Sequence, residues 1–164
     1  MASTFLDVLN RLRDHHVDFV IVGGVAAALH GGTRVTFDLD VVPSLAPASS
    51  AAAIDALSST GAQPRIPESI ERIRDVEQIR PWQRDKGMLT LNFRTADGDV
   101  DVDLLVSQSD RFAELATRAV AVTLEHRTFL VASIDDLIDM KQRAGRAQDL
   151  LDVAQLRDIQ KRLR

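Results

Sequence analysis

The chain has 164 residues, 45% of them hydrophobic and 27% charged, the make-up of an ordinary globule long enough for one domain with its own core. Its formal net charge of −4 excludes bulk basicity as a route to nucleic acid, so any such binding needs a local basic patch. It has no cysteine, which excludes disulfides, thiolate zinc sites and cysteine nucleophiles.

No apolar run approaches the roughly 20 residues of a membrane span. The N-terminus, MASTFLDVLNRLRDHH, is amphipathic and charged, unlike a signal peptide. A cytoplasmic protein without a membrane partner is expected.

In chain order, Ser3 is expected to cap a helix whose apolar positions Phe5, Leu6, Leu9 and Leu12 recur at helical spacing. Asp18 to Val22 reads as a strand buried on both faces. Val25 to His30 reads as a short helix of small residues, and Phe37 to Val42 as a second strand, stopped by Pro43. Pro47 to Ser59 reads as a helix ended by Gly61. Residues 62–87 carry a helical pattern between Pro64, Pro67 and Pro81, fitting either a segment over a site or a plain surface helix. Met88 to Arg94 and Val100 to Val106 read as strands joined by the turn Ala96-Asp97-Gly98. A helix from Asp110 to Ala119 and strands Val120–Leu124 and Thr128–Val131 follow. Ser133 caps a helix from Ile134 to Ala144, and Gly145 separates it from a last helix, Arg146 to Leu163. The pattern predicts an α+β fold with a mixed sheet, in a single domain over 1–164. Its core spans about 17–131 and its C-terminal helical part about 132–164.

The chemistry concentrates between Ile21 and Val42. Gly23-Gly24 breaks a buried strand ahead of a helix, where backbone N–H groups and the helix dipole favour anions. Asp38 and Asp40, two residues apart on a strand, share a face. Two such carboxylates repel each other and are costly to desolvate, and a divalent cation relieves both. Asp99, Asp101 and Asp103 form a second period-two series. No histidine cluster, Gly-x-Ser-x-Gly or Walker lysine is present, which disfavours a serine hydrolase and a P-loop enzyme.

Val22-Gly23-Gly24, thirteen residues, then Asp38-Leu39-Asp40-Val41 resembles the signature of the DNA polymerase β-like nucleotidyltransferases. The run VASIDDLIDMKQRAGRAQDLLDVAQL is similar to the C-terminal helices of their small bacterial branch, related to the AbiEii-like toxins. The resemblance implies the polymerase β-like fold and transfer of a nucleoside monophosphate from an NTP, ATP among them, with Mg²⁺ or Mn²⁺. It implies a third metal-binding carboxylate, with Asp103 the first choice and Asp101 the alternative. It also implies nucleotide contacts from Gly23, Gly24 and Lys141; Arg34, in the glycine loop beside the site, is a nucleotide-binding candidate that could bind a phosphate or pair with an aspartate. Where the family often has serine at the second glycine, this chain has Gly24, leaving a phosphate-contacting hydroxyl to Thr33 or Thr36. The implied acceptor is an RNA end, including tRNA, or a protein hydroxyl, in a toxin–antitoxin or phage-defence pair with a cognate partner. The alternative is a retired fold serving as an antitoxin or nucleotide-binding module. Asp149 and Asp152 are candidates for the site or for pairing with Arg143 or Arg146.

Overall fold

The computed structural model of the chain describes residues 3–85 and 90–163. Its strands form one mixed sheet in the order β3-β4-β5-β2-β1-β7-β6. These are β1 Phe19–Val22, β2 Asp38–Pro43, β3 Gln63–Pro64, β4 Leu91–Arg94, β5 Asp101–Leu104, β6 Val120–Leu124 and β7 Arg127–Val131. All four residues of β1 are buried, as an unbroken apolar run demands of a strand covered on both faces. β1 runs antiparallel to β2 and parallel to β7, and β2 runs parallel to β5. That register sets Asp38 beside Asp101 and Asp40 beside Asp103.

Helices α1 Phe5–Asp14, α2 Gly23–Leu29 and α3 Pro47–Ser59 precede α4 Ile70–Arg74 and α5 Val76–Asp85. After the strands β4 and β5 come α6 Phe112–Arg118 and, closing the chain, α7 Ile134–Ala144 and α8 Ala147–Leu163. Among the described residues no helix is long and apolar enough to cross a membrane.

Local chemistry explains where the structure departs from expectation. Thr4, not Ser3, caps α1. Its side chain accepts from the Asp7 N–H, and the Asp7 carboxylate accepts from the Thr4 N–H, a reciprocal pair. The helix expected from Asp110 begins instead as a 3₁₀ turn over Val106–Arg111. Residues 63–85 are neither a cover over a site nor a plain surface helix. They make β3, α4 and α5, and bury Ile73, Val76, Ile79 and Trp82, so the helical stripe is core. Lys86, Met88 and the start of the expected strand there lie outside the described residues.

Gly145 ends α7 in the left-handed conformation (φ 67°), which lets α8 fold back on α7. The buried stripe of α7 runs Ile134, Leu137, Ile138 and then Lys141. That of α8 begins with Asp149 and Asp152 before Val153, Leu156 and Ile159. The hairpin therefore turns a lysine and two aspartates inward at the same level.

Candidate active site

A cavity of about 400 Å³ opens where β1 ends and β2 and β5 begin. It is lined by Gly23, Gly24, Arg34, Thr36, Asp38, Asp40, Asp103, Lys141, Arg146 and Asp149, among others. Arg34, Thr36, Asp38 and Asp40, alternate residues along the chain entering β2, all line this cavity. The residues between them face away, with Val35 and Phe37 exposed and Leu39 wholly buried. The alternation of lining and outward residues thus continues ahead of β2 and brings a cation, a hydroxyl and two acids to one wall.

Gly23 and Gly24 open α2 for two separate steric reasons. Gly23 has φ +65°, and the Asp40 side chain occupies the space a Cβ would need. At Gly24, a Cβ would fall 2.7 Å from Thr36 Oγ1. The hydroxyl of Thr36 therefore already stands where a side chain at position 24 would go. It donates to the carbonyl of Asp38 at 3.3 Å. Thr33, the other hydroxyl considered, accepts from Gln155 Nε2 at 2.7 Å and so ties this loop to α8. His30 caps the other end of α2 and holds the Ala132 carbonyl through Nε2 at 2.8 Å, fixing α2 to the chain entering α7.

The acids feel one another. Burial, then Asp103 and Asp38, push the Asp40 carboxyl up to about 7, against the pull of Lys141 and the Gly24 N–H. Burial also raises Asp103, and Asp38 and Asp101 add to it, while a hydrogen bond from Asn92 Nδ2 works the other way. Asn92 lies opposite Asp103 across the antiparallel β4–β5 pair. Its amide therefore holds one Asp103 oxygen and leaves the other toward the cavity.

Asp101, the alternative third acid, does not line the cavity. Arg94 binds it through Nε and Nη2 at 2.7 and 2.6 Å, and Arg65 reaches it at 3.7 Å. The Arg94 pair holds its carboxyl below the usual range. Asp99 falls in the turn before β5, exposed.

On the helical side, the Lys141 ammonium is 2.6 Å from Asp152 and 3.7 Å from Asp149, all three buried. Arg34 also reaches Asp152, at 3.2 Å. Arg146 bonds Asp149 at 2.9 Å. Burial opposes the Asp149 charge, but the Arg146 bonds outweigh it and the carboxyl titrates below its usual range. Arg143 pairs with Asp139 on its own helix, not with Asp149 or Asp152. Among the described residues, no three histidines or acids stand close enough as placed to enclose one metal ion.

Sequence reasoning had not assigned a role at this site to Asn92, which holds Asp103, or to Arg146, which lines the cavity. Asn92 carried a usable signal, since it is the one polar residue inside the alternating Leu91-Asn92-Phe93. Arg146 carried none, because its place depends on the turn at Gly145.

A family model described as "Nucleotidyl transferase AbiEii toxin, Type IV TA system" matches residues 6–162. Among solved structures, the chain is similar to an antigenic nucleotidyltransferase-like protein from Paracoccidioides brasiliensis. The two share 18% identity with a TM-score of 0.52, over 92% of this chain and 72% of that one. At that identity the likeness speaks for the fold alone. No curated protein matches the chain.

Proposed function

The chain belongs to the AbiEii family of nucleotidyl transferase toxins, and on that premise we propose that it moves a nucleoside monophosphate from an NTP to the hydroxyl of an RNA end, tRNA included, or of a protein. The family is that of a toxin–antitoxin system, which implies a cognate antitoxin as partner. One observation carries the mechanistic reading. Asp38, Asp40 and Asp103 come from two adjacent parallel strands and line the same cavity as Gly23, Gly24 and Lys141.

The donor set suits a hard divalent cation. Three carboxylates share one wall, and two of them are raised by burial and mutual repulsion, the strain that a cation relieves. Mg²⁺ or Mn²⁺ would be held by Asp38, Asp40 and Asp103 once their carboxylates converged, and would stabilise charge on the reacting phosphate and on the leaving group.

The protein's own groups have distinct tasks in this reading. The N–H groups at Gly23 and Gly24 cradle the triphosphate, and Thr36 donates the hydroxyl that the glycine at 24 lacks. Lys141, Arg34 and Arg146 neutralise the phosphates as charge moves toward pyrophosphate. The acceptor oxygen bonds to the α-phosphorus while the bond from that phosphorus to the β-phosphate oxygen breaks. The electron pair leaves with pyrophosphate, and the hydroxyl proton passes to the Asp103 carboxylate.

A thermal-shift series with Mg²⁺ or Mn²⁺ and each NTP tests binding, since a ligand at a hundred times its dissociation constant stabilises by about 2.7 kcal/mol. Transfer is then followed with α-labelled and γ-labelled NTP on RNA and protein pools. Label from the α position alone is the expected result. An unchanged melting temperature with every metal–NTP pair would identify a retired fold instead.

A further inference from the structure

The sheet ends differently at its two edges. At one edge, β3 is two residues long, and its second residue, Pro64, has no N–H to offer. Short length and proline are common protections of an edge against pairing with another chain. At the other edge, β6 is Val120-Ala121-Val122-Thr123-Leu124, a strand with no charge, proline or glycine. Among the described residues no strand lies beyond it.

Ladder geometry determines which backbone groups of β6 are unpaired. The Ala132 N–H donates to the Ile21 carbonyl, and Val131 is the residue in register with Ile21. Successive residues of a strand turn their N–H and C=O groups to opposite sides. Ala132 and Leu130 therefore turn theirs to β1, and Val131, Phe129 and Arg127 turn theirs to β6. Their partners there are Val120, Val122 and Leu124. The turn agrees, since Leu124 and Arg127 flank the two residues Glu125-His126, and the pair that closes such a hairpin is hydrogen-bonded. Ala121 and Thr123 are left with N–H and C=O directed out of the sheet. Both residues are exposed, and Val120 is 45% exposed, while Val122 and Leu124 pack against the core.

These free groups are complementary to themselves. Opposed residues of an antiparallel pair exchange both N–H···O bonds and keep their side chains on one face. A two-fold axis through Val122, normal to the sheet, sets Ala121 of each copy opposite Thr123 of the other. Every outward N–H and C=O of β6 is then satisfied. The same register puts Val122 against its own copy and Val120 against Leu124, so the apolar inner row runs on across the junction. A slip of one residue would oppose side chains from different faces. A slip of two would set Thr123 opposite Ala119, or Ala121 opposite Glu125, both outside β6.

We propose that β6 pairs antiparallel with β6 of a second copy of this chain about Val122, joining the two sheets into one. The acids lie on β2 and β5, inward of β1 and β7, so both cavities stay open. The pairing is independent of the chemistry in the cavity. One short strand per chain is a small contact beside the roughly 1,200–2,000 Å² of a stable interface, so the dimer should dissociate on dilution.

Sedimentation velocity of the whole chain over roughly 1 to 500 µM should show monomer passing to dimer. Ala121→Lys, at an exposed position, brings two like charges to the junction, and Thr123→Pro removes an outward N–H. Each should raise the midpoint concentration about tenfold or more. A cysteine scan tests the register without comparing stabilities, because the chain has no cysteine of its own. Val122→Cys should oxidise readily to a cross-linked dimer, since opposed residues of a non-hydrogen-bonded pair have Cα atoms about 4.5 Å apart, within disulfide range. Thr123→Cys, whose two copies are only diagonal neighbours, should cross-link several times more slowly. A wild type that stays monomeric at the highest concentration overturns the proposal. So does a dimer that neither Ala121→Lys nor Thr123→Pro weakens, or cross-linking of Thr123→Cys as fast as that of Val122→Cys.

Discussion

The Asp40 carboxylate occupies the space that a Cβ on Gly23 would need. The glycine is required twice over, by its positive φ and by this contact. Gly23→Ala should therefore cost about 1–3 kcal/mol through the backbone alone, and should also push Asp40 out of the cavity. The expected outcome is a lowered melting temperature with no further gain from Mn²⁺ and NTP. A variant that melts lower yet keeps the full ligand-induced rise would show that Asp40 does not depend on this glycine.

Thr36 and Gly24 form a second such pair, and they can be exchanged. Thr36→Ala should remove the hydroxyl and weaken NTP-dependent stabilisation. Gly24→Ser alone should do no better, because its Cβ meets Thr36. Combining the two changes should recover part of the loss, with the new serine filling the vacated space. A double variant no better than the sum of its parts, in a double-mutant cycle on NTP affinity, would rule out the exchange.

Asp40 makes the metal-free protein sensitive to pH. Its carboxyl, ordinarily near 3.8, is raised to about 7 in the fold. Between those values the folded chain holds a proton that the unfolded chain has released. Stability from this group is greatest below about pH 4, falls as pH rises toward 7 and is level above it. Melting curves of metal-free protein should decline across about pH 4 to 7, and Asp40→Asn should flatten that decline. At pH 8 the asparagine variant should be more stable by on the order of a few kcal/mol. Equal pH slopes for the two proteins would refute the assignment of the decline to Asp40.

Lys141 and Lys161 are both helical lysines, and they differ in surroundings. Lys141 is buried between Asp149 and Asp152, whereas Lys161 is exposed and 3.4 Å from Asp158. Lys141→Ala leaves buried Asp149 and Asp152 with only the more exposed Arg146 and Arg34 as partners and should cost up to about 3–5 kcal/mol. It should also remove most of the NTP-dependent rise in melting temperature. Lys161→Ala should change stability by roughly 0–1 kcal/mol and leave the NTP effect intact. Equal NTP responses in the two variants would show that Lys141 serves the α7–α8 hairpin and not the nucleotide.

Local chemistry carried in the chain determined a good deal by itself. The apolar run of β1, the glycine pair and the pairing of Asp38 with Asp40 on one strand face are short-range patterns, because a strand's two faces repeat every second residue. The helix from Ile134 to Ala144 was legible from its capping serine and the glycine after it. So was Pro47–Ser59, with proline in its first turn.

Tertiary structure decided the rest, because it depends on register and on which faces meet. Asp101 and Asp103 look alike in sequence, each between apolar neighbours. Only the β4–β5 pairing assigns Arg94 to the first and Asn92 to the second, so that one acid is neutralised and the other turns to the cavity. The Cβ space at Gly24 is filled by a residue twelve positions later, which no local rule foresees. Likewise, the partners of Lys141 are decided only when the turn at Gly145 brings Asp149 and Asp152 against it. Burial and partner are properties of the packed chain, and they set both the charge state of Asp40 and the orientation of every cation around it.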